Sequence, residues 1–227
     1  EYRNSIWHRG GYVNWGYEAI GRFDSWEQIA NYPVDNDRKG NRTVVPGDIM
    51  YKDQNNDGVI NYLDERPIGY RVDSTPTLNF GINLSASWKG FDLAMDWTGS
   101  GMTSWNQCYE TARPFQNDGN SPDEVLKDAW HLSDIWDANS PLIPGKYPMV
   151  RLNTDETSAY DKSSYWLHNV TYLKLRNLEV GYTFPKTWLN RTGISNLRLF
   201  VSGTNLLTLS NLSVMDPECA SDHGLDY

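Results

Sequence analysis

The residues best suited to do chemistry form a run of oxygen-bearing side chains, DQNNDGVINYLDE, between Asp53 and Glu65. Carboxylate, amide and main-chain oxygens at regular intervals are the ligands that Ca²⁺ prefers. Gly58 stands at the sixth position, where a calcium loop needs its sharp turn. The spacing predicts a calcium site whose ligands occupy loop positions 1, 3, 5, 7 and 12, namely Asp53, Asn55, Asp57, the carbonyl of Val59, and Asp64.

Two features of this loop depart from the commonest calcium loop. Position 12 is Asp64 rather than a bidentate glutamate, and the sequence predicts no long flanking helices. The loop therefore resembles a dockerin-type loop more than a paired EF-hand. Ile60, at position 8, is expected to anchor it to the body of the protein. The alternative is an Asx-rich turn that binds no ion.

The sequence contains no recognisable set of catalytic residues. No G-x-S-x-G motif is present, and the acidic residues show no informative pairing. The four histidines are scattered along the chain, at His8, His131, His168 and His223. We therefore expect a protein that is not an enzyme.

The strongest structural signal lies between Leu78 and Trp88, where apolar and polar residues alternate without a break. This period of two predicts a strand with one apolar face and one polar face. Its length of about 11 residues matches the roughly 9–11 that a tilted strand needs to cross a bilayer. The stretch is therefore typical of a membrane-spanning strand.

A second alternating stretch begins at Phe91, directly after Lys89 and Gly90. The two stretches predict a hairpin with a tight turn. If the apolar faces meet lipid, Asp92 and Asp96 must point into a watery lumen, because a carboxylate facing hydrocarbon is costly. The alternative is an antiparallel sheet with one face on a soluble core.

Alternation resumes near the end of the chain. The segment 172–176 and the residues after it alternate with opposite parity, which predicts a bulge near Asn177. Pro185 should end this strand, and 197–205 should pair with it antiparallel. The turn at Lys89 and the connection near Pro185 should then lie on the same side of the membrane, which we expect to be the periplasmic side.

The remaining parts of the chain predict shorter elements and loops. Residues 11–23 suggest an extended segment or a Gly-rich loop, and Ser25 should cap a short helix with Gln28 in a capping box. Residues 32–48 are rich in turn formers and charge, so we expect an exposed loop.

Residues 99–163 show no sustained alternation and predict one long extracellular loop. Within it, Ser121 should cap a helix with Pro122 at its first position. The aromatic residues of the loop could stack on a sugar or pack on one another. Weak candidates for substrate contact are Trp105, Tyr109, Trp130 and Trp136.

Composition narrows the class of protein further. The chain has 227 residues and a formal net charge of −9, which argues against a nucleic-acid partner. No run of 18 apolar residues is present, which excludes a membrane helix and leaves a β-barrel possible. The two cysteines, Cys108 and Cys219, could form a disulfide in an oxidising compartment. Both ends are irregular, so we expect a piece of a longer chain.

Several segments in the same order resemble the C-terminal barrel region of SusC/RagA-type TonB-dependent transporters. They are PGDIMYKDQNNDGVINYLDERPIGY, TPTLNFGINLSASWKGFDLAMDWTGSG, YPMVRL, YLKLRNLEVGYTFPKTWL and ISNLRLFVSGTNLLTLS. The overall likeness extends over nearly the whole of residues 1–227. The resemblance implies an all-β fold: part of a plugged, 22-stranded antiparallel barrel in the bacterial outer membrane, with long extracellular loops that include 53–65 and 99–163.

The same resemblance implies import of oligosaccharides or peptides. It implies contact with outer-membrane lipid, a SusD-like surface lipoprotein as a lid, and TonB acting through a plug outside this segment. The family's plug and TonB box are absent from these residues, and so are most of its strands. The alternative function is a soluble secreted glycan-binding β module with a dockerin-like calcium loop; a calcium-dependent adhesion domain is a third.

Overall fold

The computed structural model describes residues 9, 13–70, 76–116, 119–152, 157–190, 193–212 and 216–218. The chain divides into two compact units. Residues 75–103 and 170–218 form what we call the sheet unit. Residues 1–74, 104–169 and 219–227 form what we call the loop unit.

Strands dominate the described residues, and the helices are short, which confirms the predicted all-β class. No helix among the described residues combines the length and apolar character needed to cross a membrane. In chain order the elements are β1 (Val13–Gly16), β2 (Ala19–Arg22), α1 (Trp26–Ala30), β3 (Ile49–Tyr51), β4 (Arg66–Tyr70), β5 (Leu78–Trp88), β6 (Phe91–Asn106), α2 (Asp123–Lys127), β7 (His131–Leu132), β8 (Leu142–Ile143), β9 (Leu167–Thr183), α3 (Lys186–Leu189) and β10 (Arg198–Ser210), with 3₁₀ turns at Tyr62–Asp64, Tyr109–Thr111 and Ser158–Tyr160.

The sheet unit is built on a four-stranded sheet with the order β10-β9-β6-β5. The β5–β6 and β9–β10 pairs are antiparallel, as the sequence predicts. Neither β5 nor β10 has a second neighbour among the described strands, so the sheet does not close on itself there. Among the described residues it is an open antiparallel sheet with β5 and β10 at its edges.

The register of β5 against β6 sorts side chains onto two faces. Ile82 lies opposite Trp97 and Leu84 opposite Met95, so apolar residues meet across the hairpin. At the intervening positions Asn83 lies opposite Asp96. Apolar side chains on this face stay exposed, including Leu78, Phe80, Ile82, Leu84 and Trp88 of β5 and Leu199 and Val201 of β10.

Ion pairs gather the charged side chains on the polar face of the sheet. Arg198 of β10 pairs with Asp92 of β6 and with Glu179 of β9. Lys174 Nζ lies 2.7 Å from a carboxylate oxygen of Asp216. A further carboxylate, Glu218, contacts both Lys174 and Arg176. Asp92, predicted to face water, thus lies among polar partners.

An irregularity in strand pairing appears where the sequence predicts a bulge. The β9–β10 register shifts between Thr204 and Leu207, which lie opposite Asn177 and Leu175, so β10 supplies the extra residue. In β9 the adjacent side chains of Arg176 and Asn177 donate to Thr98 and Asp96, two residues on one face of β6. The alternation of side chains between the two faces of the sheet is therefore interrupted at this point.

The two short connections of the sheet unit lie at the same end of the sheet. Lys89 and Gly90 join β5 to β6, and the Gly90 carbonyl accepts a hydrogen bond from the backbone N–H of Thr183 at 2.7 Å. Thr183 is the last residue of β9, two residues before Pro185. The prediction that both connections lie at one end of the sheet is therefore confirmed, and the assignment of that end to the periplasm stays a prediction.

The loop unit has an aromatic core beside two small sheets. β1 pairs with β4 and β2 with β3, so the predicted extended segment is confirmed between Val13 and Arg22. The Tyr51 hydroxyl donates to the Ser158 carbonyl at 2.7 Å inside this core. The cluster comprises Tyr17, Ile49, Tyr51, Ile60, Ala112, Val125, Ala129, Tyr147, Ala159, Tyr160 and Trp166.

Three expectations about element boundaries need adjustment. β6 continues to Asn106, well beyond Gly99, where the long loop was expected to begin. Pro122, not Ser121, is the N-cap of α2, and no side chain caps that helix. Ser25 does accept the Gln28 N–H, but the Gln28 side chain bonds Asp24 instead of completing a capping box. Cys219 lies outside the described residues, so its pairing with Cys108 stays a prediction.

The expectation of an exposed loop at 32–48 is only partly confirmed: the segment is a loop and residues 38–40 are exposed, but several of its polar residues are buried. Asn36 is fully buried, donating from its amide to the Ile49 carbonyl and accepting the Tyr51 N–H, both at 3.0 Å. Its side chain thus satisfies backbone groups of β3 that a neighbouring strand would otherwise bind. Asp48 is also fully buried and pairs with Arg151. The segment is polar because its side chains satisfy backbone groups inside the loop unit.

Candidate functional site

Asp53 organises the first half of the 53–64 loop. Its Oδ1 accepts the Asn56 N–H at 2.6 Å and its Oδ2 accepts the Gly58 N–H at 2.8 Å. Asn56 and Gly58 both have positive φ, 58° and 83°, which lets the chain curl around the carboxylate. The turn predicted from Gly58 is therefore present.

Asp57 and Asn55 are joined by two hydrogen bonds within the loop. The Asn55 amide donates to Asp57 Oδ2 at 2.8 Å, and the Asp57 N–H donates to Asn55 Oδ1 at 3.0 Å. Asp57 Oδ1 accepts the Val59 N–H at 2.9 Å. Hydrogen bonds from Val59 and from the Asn55 amide lower the pKa of Asp57, so this carboxyl is an anion at neutral pH.

Asp64 closes the loop from inside the loop unit. It is fully buried at the end of the 3₁₀ turn that Asn61 caps. Its Oδ1 accepts the Gln54 N–H and its Oδ2 accepts the Asn61 N–H, each at 2.8 Å. The buried carboxylate is held in one orientation by the backbone on both sides.

The fold brings together three carboxylates that we predicted from the sequence to be calcium ligands. One oxygen each from Asp53, Asp57 and Asp64 lies within 4.8 Å of the others. Of the other two predicted ligands, Asn55 bonds directly to Asp57, and the Val59 carbonyl accepts from the Asn61 amide at 3.1 Å. Hard oxygen donors without sulfur or imidazole fit Ca²⁺ and do not fit a soft metal.

The loop is fixed to the loop unit at several points. Ile60 is fully buried in the aromatic core, as predicted for position 8. The Asp35 N–H donates to the Gly58 carbonyl at 2.8 Å, and the Ile60 N–H donates to the Asp35 carbonyl at 2.9 Å. The Gln54 side chain donates to Glu18 at 2.7 Å. These contacts anchor the loop to the rest of the loop unit.

The four aromatic candidates for substrate contact separate by burial. Trp105 is 1% exposed and Trp130 is 7% exposed, so both rings are part of the packed interior. Tyr109 is 46% exposed and Trp136 is 90% exposed. Only the last two present a ring surface to a partner or a ligand.

Sequence reasoning identified the turn-rich loop at 32–48 but missed its buried carboxylate, Asp37, and the hydrogen bonds that join this loop to the calcium candidate through Asp35. Asp37 is buried and accepts the N–H groups of Lys39, Asn41 and Thr43 at 2.7–2.8 Å. Burial raises the pKa of Asp37, but the hydrogen bonds from Thr43, Lys39 and Asn41 outweigh it and lower the pKa to about 2. The signal was the alternation of Asp, Asn and Gly in DNDRKGN, which is typical of Asx turns.

Comparison with known sequences finds relatives of one kind. No protein-family model matches the chain. It is 30% identical to TonB-dependent receptor P3 of Formosa agariphila over 206 residues, which is 88% of this chain and 19% of the receptor. It is 27% identical over 204 residues to TonB-dependent receptor P26 of the same organism, again 19% of that protein. The chain thus spans about a fifth of the length of these curated relatives.

Solved structures agree on the fold. The chain matches the RagAB peptide transporter with a TM-score of 0.57 and 20% identity, over 93% of this chain and 20% of the other. It matches the RagAB peptide importer in its open-open state with a TM-score of 0.56. These relatives and neighbours are receptors and transporters, not enzymes. Sequence and fold therefore confirm the resemblance: the relatives of this chain are TonB-dependent receptors, and the chain is similar to a barrel segment of the SusC/RagA type.

Proposed function

We propose that this chain supplies barrel wall and extracellular loops to a TonB-dependent importer in the bacterial outer membrane. The observation that carries the proposal is the sorting of the sheet unit into two faces. One face exposes large apolar side chains such as Ile82 and Val201, and the other gathers ion pairs such as Arg198 with Asp92. Such a sheet suits a wall between lipid and a watery lumen.

The rest of the barrel must then come from the remainder of the protein. In a bilayer, the outer edges of β5 and β10 would leave backbone N–H and C=O groups unpaired. Each unpaired group in hydrocarbon costs several kcal/mol. Strands outside this chain would pair with both edges and complete the wall.

The mechanism is transport, driven from outside this segment. TonB acts on a plug that other parts of the receptor supply, and a SusD-like lipoprotein serves as the lid. The cargo is an oligosaccharide or a peptide, of which we favour the oligosaccharide because aromatic side chains of the loops can stack on sugar rings. This segment shapes the lumen wall and the outer mouth.

Calcium at Asp53, Asn55, Asp57, Val59 and Asp64 would rigidify one of the outer loops. The three clustered carboxylates support this role, because they repel one another and a divalent cation would relieve that repulsion. The ion would also lower the entropic cost of presenting the loop to cargo or lid. It takes no part in bond chemistry.

A pair of neighbouring substitutions in the full-length receptor tests the wall assignment. Ile82→Arg places a charge on the apolar face of β5, where near mid-bilayer it costs about 2–4 kcal/mol. Asn83→Arg places the same charge one residue later, on the polar face opposite Asp96. We expect Ile82→Arg to reduce the heat-modifiable, outer-membrane form sharply and Asn83→Arg to leave most of it.

Import itself is measured in the producing bacterium. Deleting the receptor gene, or its tonB gene, should abolish growth on the oligosaccharide that the receptor takes up, and the Asn83→Arg receptor should restore growth to the deletion strain. A protein that purifies without detergent, and tolerates both arginines equally, would instead be the soluble glycan-binding module. Growth on peptides alone would reassign the cargo.

A further inference from the structure

Two cations on strand β9 find their carboxylate partners outside the four-stranded sheet. Lys174 and Arg176 lie two residues apart on β9. Arg198, on the polar face of the same sheet, pairs with carboxylates of β6 and β9. For Lys174 and Arg176 the carboxylate partners among the described residues are Asp216 and Glu218, which follow β10. We call residues 216–218 the acidic segment.

The acidic segment holds both cations with two carboxylates. Lys174 Nζ lies 2.7 and 2.8 Å from the two oxygens of Asp216 and 2.9 Å from Glu218 Oε2. The other oxygen of Glu218 accepts a hydrogen bond from Arg176 Nη2, so this carboxylate bridges the two cations. The Glu218 N–H donates to Asp216 Oδ1 at 2.9 Å, which fixes the two acidic residues relative to each other. The segment therefore fits the pair of cations as one unit.

Neighbouring strands hold the Arg176 guanidinium from its other side. Its Nε donates to the Thr98 hydroxyl of β6 at 3.0 Å. Its Nη1 donates to the Asn205 side-chain oxygen of β10 at 3.1 Å. A planar guanidinium held by two such bonds keeps its remaining donor aimed in one direction, and that donor binds Glu218. The sheet itself thus supplies a preorganised place for an oxyanion.

Burial makes the Lys174 ammonium dependent on the acidic segment. The Lys174 side chain is 5% exposed, although lysine is among the residue types that are least often buried. An ammonium that leaves water without a partner carries a large desolvation cost. Pro217, between the two acidic residues, is buried as well, so the segment is packed as well as paired. Release of the segment would therefore rehydrate Lys174 or leave it buried without its counterions.

Without the acidic segment, the two cations would form a site for an oxyanion. Residues two apart on a strand project from the same face, roughly 7 Å apart along the strand. A group with several oxygens can bridge an ammonium and a guanidinium at this spacing, as the Glu218 carboxylate does. Carboxylate groups of acidic sugars and peptides, and sulfate groups of sulfated sugars, have this chemistry. Glu218 therefore occupies the position that such a group would take.

We propose that the acidic segment is a built-in counterion that closes an oxyanion site formed by Lys174 and Arg176. With Asp216 and Glu218 in place, a carboxylate or sulfate group of a solute meets no free cation at this site. The relevance to solutes rests on the proposed function, which places this face toward the lumen, whereas the closed site itself does not. Asp216 and Glu218 are then specificity-determining residues, because their removal would let the wall retain anionic solutes.

The test measures the reactivity of Lys174 in the assembled full-length receptor. An amine-reactive ester labels accessible lysines, and mass spectrometry quantifies the labelling of Lys174 separately. We expect Asp216→Asn with Glu218→Gln to speed this labelling by about 10-fold or more, because the ammonium loses both of its charged partners. Sodium sulfate should then slow the labelling of Lys174 in the double variant and leave the wild-type rate unchanged.

Controls separate a local effect from a general one. Asp92→Asn removes a carboxylate from the same face, where it pairs with Arg198, and should leave the labelling of Lys174 unchanged. Sodium chloride at equal ionic strength accounts for the screening that any salt produces. Asp216→Asn alone keeps Glu218 and should give an intermediate rate, so it serves if the double variant assembles poorly. Heat modifiability shows which variants are assembled.

Two results would overturn the proposal. Equal labelling in the wild type and the double variant would mean that the acidic segment does not shield Lys174. Faster labelling that sulfate does not slow beyond sodium chloride would mean that no oxyanion site has been opened. The import function is measured separately, by growth of the producing bacterium. A receptor that shows the expected labelling but supports no import would refute the proposed function and leave the closed site standing.

Discussion

Asp64 is a fully buried carboxylate whose two oxygens each accept one backbone N–H. Those bonds fix the orientation of the carboxyl group, and Asp53 and Asp57 bring two more carboxylates to within 4.8 Å. Like charges at this separation repel, and a divalent cation among them would turn that repulsion into attraction. The geometry of single residues therefore makes the calcium proposal directly testable.

Replacing Asp53 and Asp57 with alanine should remove calcium binding while leaving the barrel assembled. We expect the affinity to fall by about 100-fold or more, because two of three carboxylate ligands are lost. Calorimetry of the full-length receptor measures the affinity, and limited proteolysis should show new cleavage in the 53–64 loop.

The control for this double substitution is Asp24→Ala with Glu27→Ala. It removes two exposed carboxylates outside the loop and should leave calcium binding intact. Calcium binding that persists unchanged in the Asp53 and Asp57 variant would refute the site.

At the scale of elements, the bounds of a strictly alternating strand could be predicted from the sequence. The burial of polar side chains could not. The predicted bounds of β5 are those observed, because its period of two leaves one way to place the apolar face. The continuation of β6 past Gly99 was missed because small and polar residues there weaken the alternation. Burial of Asn36 and Asp48 was missed because hydropathy does not reveal side chains that satisfy backbone groups.

The candidate metal site was predictable for a related reason. A calcium loop draws its ligands from one short segment, so their spacing in the sequence already describes their arrangement in space. The aromatic residues depend on contacts between distant segments. Nothing local distinguishes Trp130, which is buried, from Trp136, which is exposed.

The turn between β5 and β6 gives a prediction about one element. Lys89 and Gly90 both have positive φ, 48° and 93°, as two-residue hairpin turns of type I′ require. Gly90→Ala would add backbone strain of about 1–2 kcal/mol. A Cβ there would also lie 2.7 Å from the Thr183 carbonyl oxygen. We expect less assembled receptor, measured as a lower urea midpoint of the heat-modifiable band.

Lys89→Asn is the matched control in the same turn. Asparagine tolerates positive φ and is favoured at this position of a type I′ turn, so stability should be kept or slightly raised. Equal effects of the two substitutions would show that the turn conformation does not limit assembly.

At the scale of the whole molecule, the chain is a part that needs the rest. The sheet has one outer strand at each side, β5 and β10, each lacking a second neighbour among the described strands. A membrane offers no water to satisfy the outer backbone groups, so an open sheet cannot be a stable transmembrane structure.

Residues 1–227 produced alone should therefore fail to insert as a stable monomer. The measurement is electrophoretic mobility with and without heating after refolding into lipid vesicles, with the full-length receptor as the positive control. A discrete heat-modifiable band from residues 1–227 alone would contradict the partial-wall assignment.

If the chain lines a pore as proposed, the paired charges of the polar face affect how a solute moves through it. Lys174, Arg176 and Arg198 each contact a carboxylate, so their fields largely cancel at short range. A lining of this kind holds solvent without offering strong isolated anchoring points. A solute passing this face would find no unpaired charge to bind strongly. Selection between solutes would therefore depend on the outer opening of the barrel.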